Sequence, residues 1–175
     1  VAEIVRIYGA IGGVPAYLDK WDAAKSFKDN ICRLVLTPSG ALYGEADAVI
    51  SAELRELSAY STILAAIARG ENKLNDIFHA TGFSRAKISV YLKNLANFNI
   101  VEKVVSFETG GWENAKKGVY QIKDTFVNFW FKFVYPNMSN LYLLSPEEFY
   151  DTYIEKELDA YLERYFREVC TEYLL

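Results

Sequence analysis

The sequence predicts a mainly α-helical protein with one small β-hairpin. Apolar residues recur at helical spacing through most of the chain, whereas strand-like alternation is confined to a stretch between residues 100 and 123. Charge then divides the 175 residues into unlike parts. Residues 1–69 carry 7 basic and 8 acidic side chains, and residues 124–145 carry one of each. Residues 70–123 carry 8 and 5, net +3, and residues 146–175 carry 3 and 9, net −6. The overall charge of −4 is therefore a property of the tail, and the middle of the chain is basic.

Composition bounds the reading further. Hydrophobic content of 51% with 24% charged residues is that of a soluble globular domain rather than a disordered chain. No apolar run reaches the roughly 18 residues a membrane helix needs, so no membrane partner is expected. The first residues, VAEIVRIYGAIGG, lack the pattern of a signal peptide and begin as though within a helix, as expected of a piece of a larger polypeptide. Cys32 and Cys170 stand far apart with no histidine or further cysteine near either, which fits buried thiols in a reducing, cytoplasmic setting. The lone His79 has no nucleophile pattern beside it. GxxxxGK[ST], HExxH and GxSxG are all absent, and neither a catalytic residue nor a metal site is expected.

The elements follow in order. A first helix stops at Gly12-Gly13, and Pro15 suits the first turn of the next. SFKDNICRLVL is helical and is closed by the turn signal TPSG. Residues 44–70 are helical in composition, with Leu57, Tyr60, Ile63, Leu64 and Ile67 on one stripe and Gly70 as a stop. Leu74, Ile77 and Phe78 give a short helix its apolar face, which ends at Thr81-Gly82. Ser84 is placed to cap a second helix, whose inner face is Ile88, Tyr91, Leu92 and Leu95. Ser89, Val90, Lys93 and Asn97 occupy its outer face, with Arg85 and Lys87 in its first turn. IVEKVVSFE and GVYQIK then read as two strands of a hairpin whose loop carries Lys116 and Lys117. Helix, helix, turn, helix and hairpin in that order predict a winged helix-turn-helix over 53–123.

Residues 124–175 form a helical connector. Phe126, Phe129, Trp130 and Phe133 share one stripe of a segment that is apolar nearly all round, as expected of core. Stacking of nucleic-acid bases on that stripe would need more cations than Lys132 alone. Ser145 and Pro146 then start a long acidic helix with an apolar side of Ile154, Leu158, Leu162, Tyr165, Phe166, Val169 and Tyr173. That side calls for a partner surface, and self-association is one way to supply it.

Taken together, YGAIGGVPAYL, GVYQIKDTFVNFWFKFVYPN and YFREVCTEYLL resemble the C-terminal half of archaeal-type ATPases of the signal-transducing (STAND-like) branch of the AAA+ class. The resemblance covers nearly the whole chain. It implies a helical lid over 1–52, the winged helix over 53–123, and the start of a restriction-endonuclease-like domain near Phe166. It also implies that Gly13, Val14 and Pro15 form the lid turn that approaches a nucleotide base. That role needs an ATPase core, which would bring ATP and Mg²⁺ to the parent protein but no cofactor to this chain. Relatives often place Glu after the Phe equivalent to Phe166; this chain has Arg167, which counts against nuclease activity in the parent.

The leading expectation is a non-catalytic regulatory segment whose winged helix binds duplex DNA with little sequence preference. Arg85, Lys87, Lys93, Lys116 and Lys117 would meet phosphates, and Ser84 and Ser89 would add hydrogen bonds. The alternative is a module that couples the parent's ATPase and C-terminal domains through protein contacts, with no DNA bound. Since the chain has no P-loop, calorimetry with ATP and Mg²⁺ is expected to give no heat of binding at micromolar concentrations; a saturable signal there would refute the lid assignment as written.

Overall fold

The computed structural model describes residues 2–105 and 118–174, and these form two compact units. One comprises Val1–Ala48 and Phe133–Leu175, the other Val49–Lys132. The chain is mainly helical, with one two-stranded antiparallel sheet. Among the described residues no helix is long and apolar enough to cross a membrane.

The first unit joins the two ends of the sequence. Its leading part holds α1 (Ala2–Ile11), α2 (Pro15–Leu18) and α3 (Phe27–Ile31), which continues as a π-helical turn over Cys32–Leu36. Its trailing part holds α9 (Met138–Leu141), α10 (Pro146–Tyr153) and α11 (Glu155–Leu174). Capping boxes start two of these helices: Ser26 with Asp29 at α3, and Ser145 with Glu148 at α10. In each the serine accepts from the third backbone N–H, and the acid accepts from the serine's own N–H. The hydrogen bonds from the serine hold the carboxyls of Asp29 and Glu148 below the usual carboxylate range.

The expected single helix after Ser145 is in fact two, parted at Ile154, which is itself fully buried. The bend lets α10 lie on the Cys32–Leu36 turn while α11 packs along α1. Leu158, Leu162 and Tyr165 are thereby buried, so α1 supplies part of the partner surface that the apolar side of α11 requires, while Phe166 on the same side stays half-exposed. Leu162 is not a free surface residue. Gly9 sets how closely the two helices approach, because a Cβ there would lie 2.3 Å from Leu162 Cδ2. The Tyr161 hydroxyl donates to the Gly9 carbonyl at 2.8 Å and fixes the same crossing.

Cys32 is buried, and burial pushes its thiol pKa up to about 12. Asn30, fully buried, is the polar hub of the unit. Its Oδ1 accepts from the Asp22 N–H at 2.9 Å and from Arg33 Nη2 at 3.0 Å, and its Nδ2 donates to the carbonyls of Asp22 and Ser26.

The second unit is continuous in sequence. The run expected to be helical over 44–70 contains two helices, α4 (Glu45–Glu53), whose first four residues are counted with the first unit, and α5 (Leu57–Ala68), separated at 54–56. After α5 come α6 (Leu74–Thr81), α7 (Arg85–Asn97), β1 (Val101–Val104), β2 (Val119–Ile122) and α8 (Thr125–Phe129). The strands pair in the register Val101↔Ile122 to Val104↔Val119. A backbone bond of 2.7 Å from Tyr120 N to the Asn72 carbonyl ties β2 to the segment before α6. Asn99 closes α7 with a φ of 56°, and the Ile100 N–H reaches back to the Leu95 carbonyl at 2.9 Å. α8 is capped by Asp124, which accepts from Val127 N at 2.8 Å, and continues into a π-helical turn over Trp130–Val134. Phe126, Phe129, Trp130 and Phe133 are all at most 1% exposed, as their stripe requires of core residues.

Removing the Asn30 side chain breaks several part-buried hydrogen bonds at once. Asn30→Ala is expected to cost at least about 2 kcal/mol, read as a lower urea midpoint with an unchanged slope. An unchanged midpoint would show that the hub contributes nothing.

Candidate nucleic-acid interface

The site is built around α7, and the turn before it sets its position. Gly82 takes a φ of 70°, a left-handed conformation that costs a side chain without a Cβ nothing, and its N–H donates to the Phe78 carbonyl at 2.9 Å. Thr81 Oγ1 accepts from Phe83 N and donates to the Ile77 carbonyl. Ser84, in extended conformation, accepts from the Lys87 N–H at 3.2 Å, as its predicted capping role requires. Three residues thus reverse the chain between α6 and α7.

The inner face of α7 is Ile88, Tyr91, Leu92 and Leu95, all buried. Ser84, Arg85, Ala86, Ser89, Val90, Lys93 and Asn97 are exposed, and Lys87 is half-buried. The structure therefore brings Ser84, Arg85, Lys87, Ser89 and Lys93 together on one helix. Lys116 and Lys117 lie outside the described residues. Gly13, Val14 and Pro15 belong to the other unit, where Val14 precedes α2 and Pro15 opens it. Nothing lies within 4 Å of where a Gly13 Cβ would be, and Val14 is 40% exposed.

Two of the cations are held by neighbours that sequence reasoning did not assign. Arg85 Nε donates to Asn75 Oδ1 at 3.0 Å, and its guanidinium lies 4.2 Å from the centroid of the Phe78 ring. The Lys87 ammonium lies 4.4 Å from the Phe83 centroid and 5.3 Å from that of Tyr91. Such contacts attract a cation to the ring face and favour the rotamers that reach it. Lys103 on β1, over Tyr120 at 5.5 Å, is a further exposed cation that the sequence reading left unassigned. Its position in the alternation of β1 was the available signal. His79 is exposed in the last turn of α6, its ring edge-on to Phe78.

On the buried side, Tyr91 donates its hydroxyl to the Glu56 carboxylate, and Asn94 Nδ2 donates to the Tyr60 hydroxyl at 2.8 Å. The Tyr60 and Tyr91 rings are 4.4 Å apart. These contacts tie α7 to α5. Among the described residues, no group of three or more His, Cys, Asp or Glu could hold a metal ion.

Residues 130–175 match the DUF234 family, described as archaeal and bacterial proteins of unknown function. The chain is also similar to the protein of Methanocaldococcus jannaschii named "Uncharacterized protein MJECL04", with 32% identity over 174 residues. That alignment takes in 99% of this chain and 38% of the relative, so the chain spans well under half of the relative's length. No solved structure gives a significant match.

The hydrogen bond to Glu56, then burial, then the nearby negative charge raise the Tyr91 pKa to about 12. The folded value lies above that of an unfolded tyrosine, about 10, so the contribution is intact below pH 10 and is lost as pH rises toward 12. Ultraviolet titration should show this tyrosine ionising late, and Glu56→Gln should bring it earlier. Identical titrations for the two proteins would remove the bond from the account.

Proposed function

We propose that residues 53–123 are a winged helix-turn-helix that binds duplex DNA chiefly through its phosphate backbone, with α7 as the helix that enters the major groove. One observation carries the reading: α7 buries one complete face and presents Arg85, Lys87 and Lys93 together with the hydroxyls of Ser84 and Ser89. A capped helix with cations in its first turn and at mid-length suits a polyanion, and the net charge of +3 over residues 70–123 adds long-range attraction. Ser84 uses its oxygen in the cap, which leaves its O–H to donate to a phosphate. The first two turns of the exposed face carry no Asn or Gln, and Arg85 is engaged with Asn75 and Phe78. Hydrogen-bonded base reading is correspondingly weak.

In the parent protein, this module would stand beside an archaeal-type ATPase. The supports for that are the motifs around residues 12–18 and 120–131 and the DUF234 match. Gly13, Val14 and Pro15 would then serve as the lid turn over the nucleotide.

Fluorescence anisotropy with a short labelled duplex tests the DNA reading. Micromolar-range affinity is expected, with a log–log salt slope approaching about −2.7 if Arg85, Lys87 and Lys93 each meet a phosphate. Arg85→Glu with Lys93→Glu should abolish binding while the circular dichroism spectrum stays unchanged, because neither residue lies on the buried face. Binding that survives the double substitution, or no binding at low salt, would instead favour a module acting through protein contacts.

A further inference from the structure

We propose that Val90 is the base-reading position of α7, making an apolar contact with thymine 5-methyl groups in the major groove; this rests on the DNA-binding reading above. Val90 is 57% exposed, the most exposed large apolar side chain among the described residues of 49–132. It stands in mid-helix, where a β-branched residue loses rotamer freedom and less than half of the side chain is buried in return. The fold itself gives no reason for valine there.

Its surroundings identify the occupant. Helical spacing sets Ala86 one turn before Val90 and Lys93 one turn after it on the same outward stripe, with Ser89 adjacent. Arg85 and Lys87 stand on either side of Ala86 in the first turn. An apolar spot of Ala86 and Val90 is thus bracketed by cations. A protein partner would need a wider surface anchored by large aromatic side chains, which this stripe lacks. Charge complementarity points to a polyanion, and the thymine methyl is the one apolar group that base edges offer in the major groove. Valine at this place selects thymine by contact alone. It gives a modest preference for A·T pairs over binding that is mostly electrostatic.

The test uses two duplexes of one A·T-rich sequence, one with thymidine and the other with deoxyuridine throughout. Backbone charge is the same in both, and only the methyl groups differ. The unmodified chain is expected to bind the thymidine duplex about fourfold more tightly, the ratio that burial of one methyl-sized group gives. Val90→Ser should bind both duplexes equally, with its salt slope unchanged. Equal binding of the two duplexes by the unmodified chain would overturn the proposal and leave backbone binding standing. A preference that persists in Val90→Ser would also overturn it, assigning the discrimination to DNA shape. Failure to bind either duplex at low salt would overturn this proposal together with the DNA-binding reading on which it rests.

Discussion

Ile88, Leu92 and Leu95 fix the rotation of α7 about its own axis, and the outward surface follows from that constraint. Each of these side chains is nearly or fully buried. Exposing one costs about 1.5–3 kcal/mol, so a turn of the helix by even one residue position is strongly opposed. With the inner stripe fixed, the 100° step of an α-helix dictates that Ala86, Val90, Lys93 and Asn97 face outward. The short turn through Gly82 and the Ser84 cap then sets where the helix begins, and the contacts of Tyr91 and Asn94 hold its buried edge against α5.

The first unit solves a different problem. Several of its helices have only four or five residues, and a helix of that length gains little from its own hydrogen bonds. Stability therefore comes from packing and from closing the helix ends. The two capping boxes satisfy donors at the starts of α3 and α10, the Asn30 hub satisfies the loop before α3, and aromatic side chains such as Phe149, Tyr150 and Tyr165 fill the interior. Gly9 has the opposite role of omitting volume, so that α11 can approach α1 closely.

What could be read from the residues was what repeats locally. The buried stripe of α7, the Ser84 cap, the stop at Gly82 and the paired strands each follow from spacing or from one residue's conformational preference. The breaks at 54–56 and at Ile154 were not legible, because neither contains glycine or proline, and tertiary packing decides them. The aromatic seat of Arg85 was hidden for a related reason, since Phe78 lies on α6 and only the packing of two helices brings its ring under the guanidinium. The seat of Lys87 is local, with Phe83 and Tyr91 four residues to either side, and that spacing was the signal available for it. The pairing of residues 1–48 with 133–175 was equally out of reach, since periodicity shows which face of a helix is apolar but not which distant segment covers it.

That pairing has a consequence for how the chain acquires its structure. The bond from Tyr161 to Gly9 joins residues 152 positions apart, whereas every contact within residues 49–132 spans a shorter stretch. Emerging from a ribosome, the continuous unit has all its partners well before α11 is made, while α1 must wait with its apolar side uncovered. Closing so long a loop also costs entropy before any contact between α1 and α11 repays it. The segment proposed to bind DNA is thus able to fold before the unit that pairs residues 1–48 with 133–175.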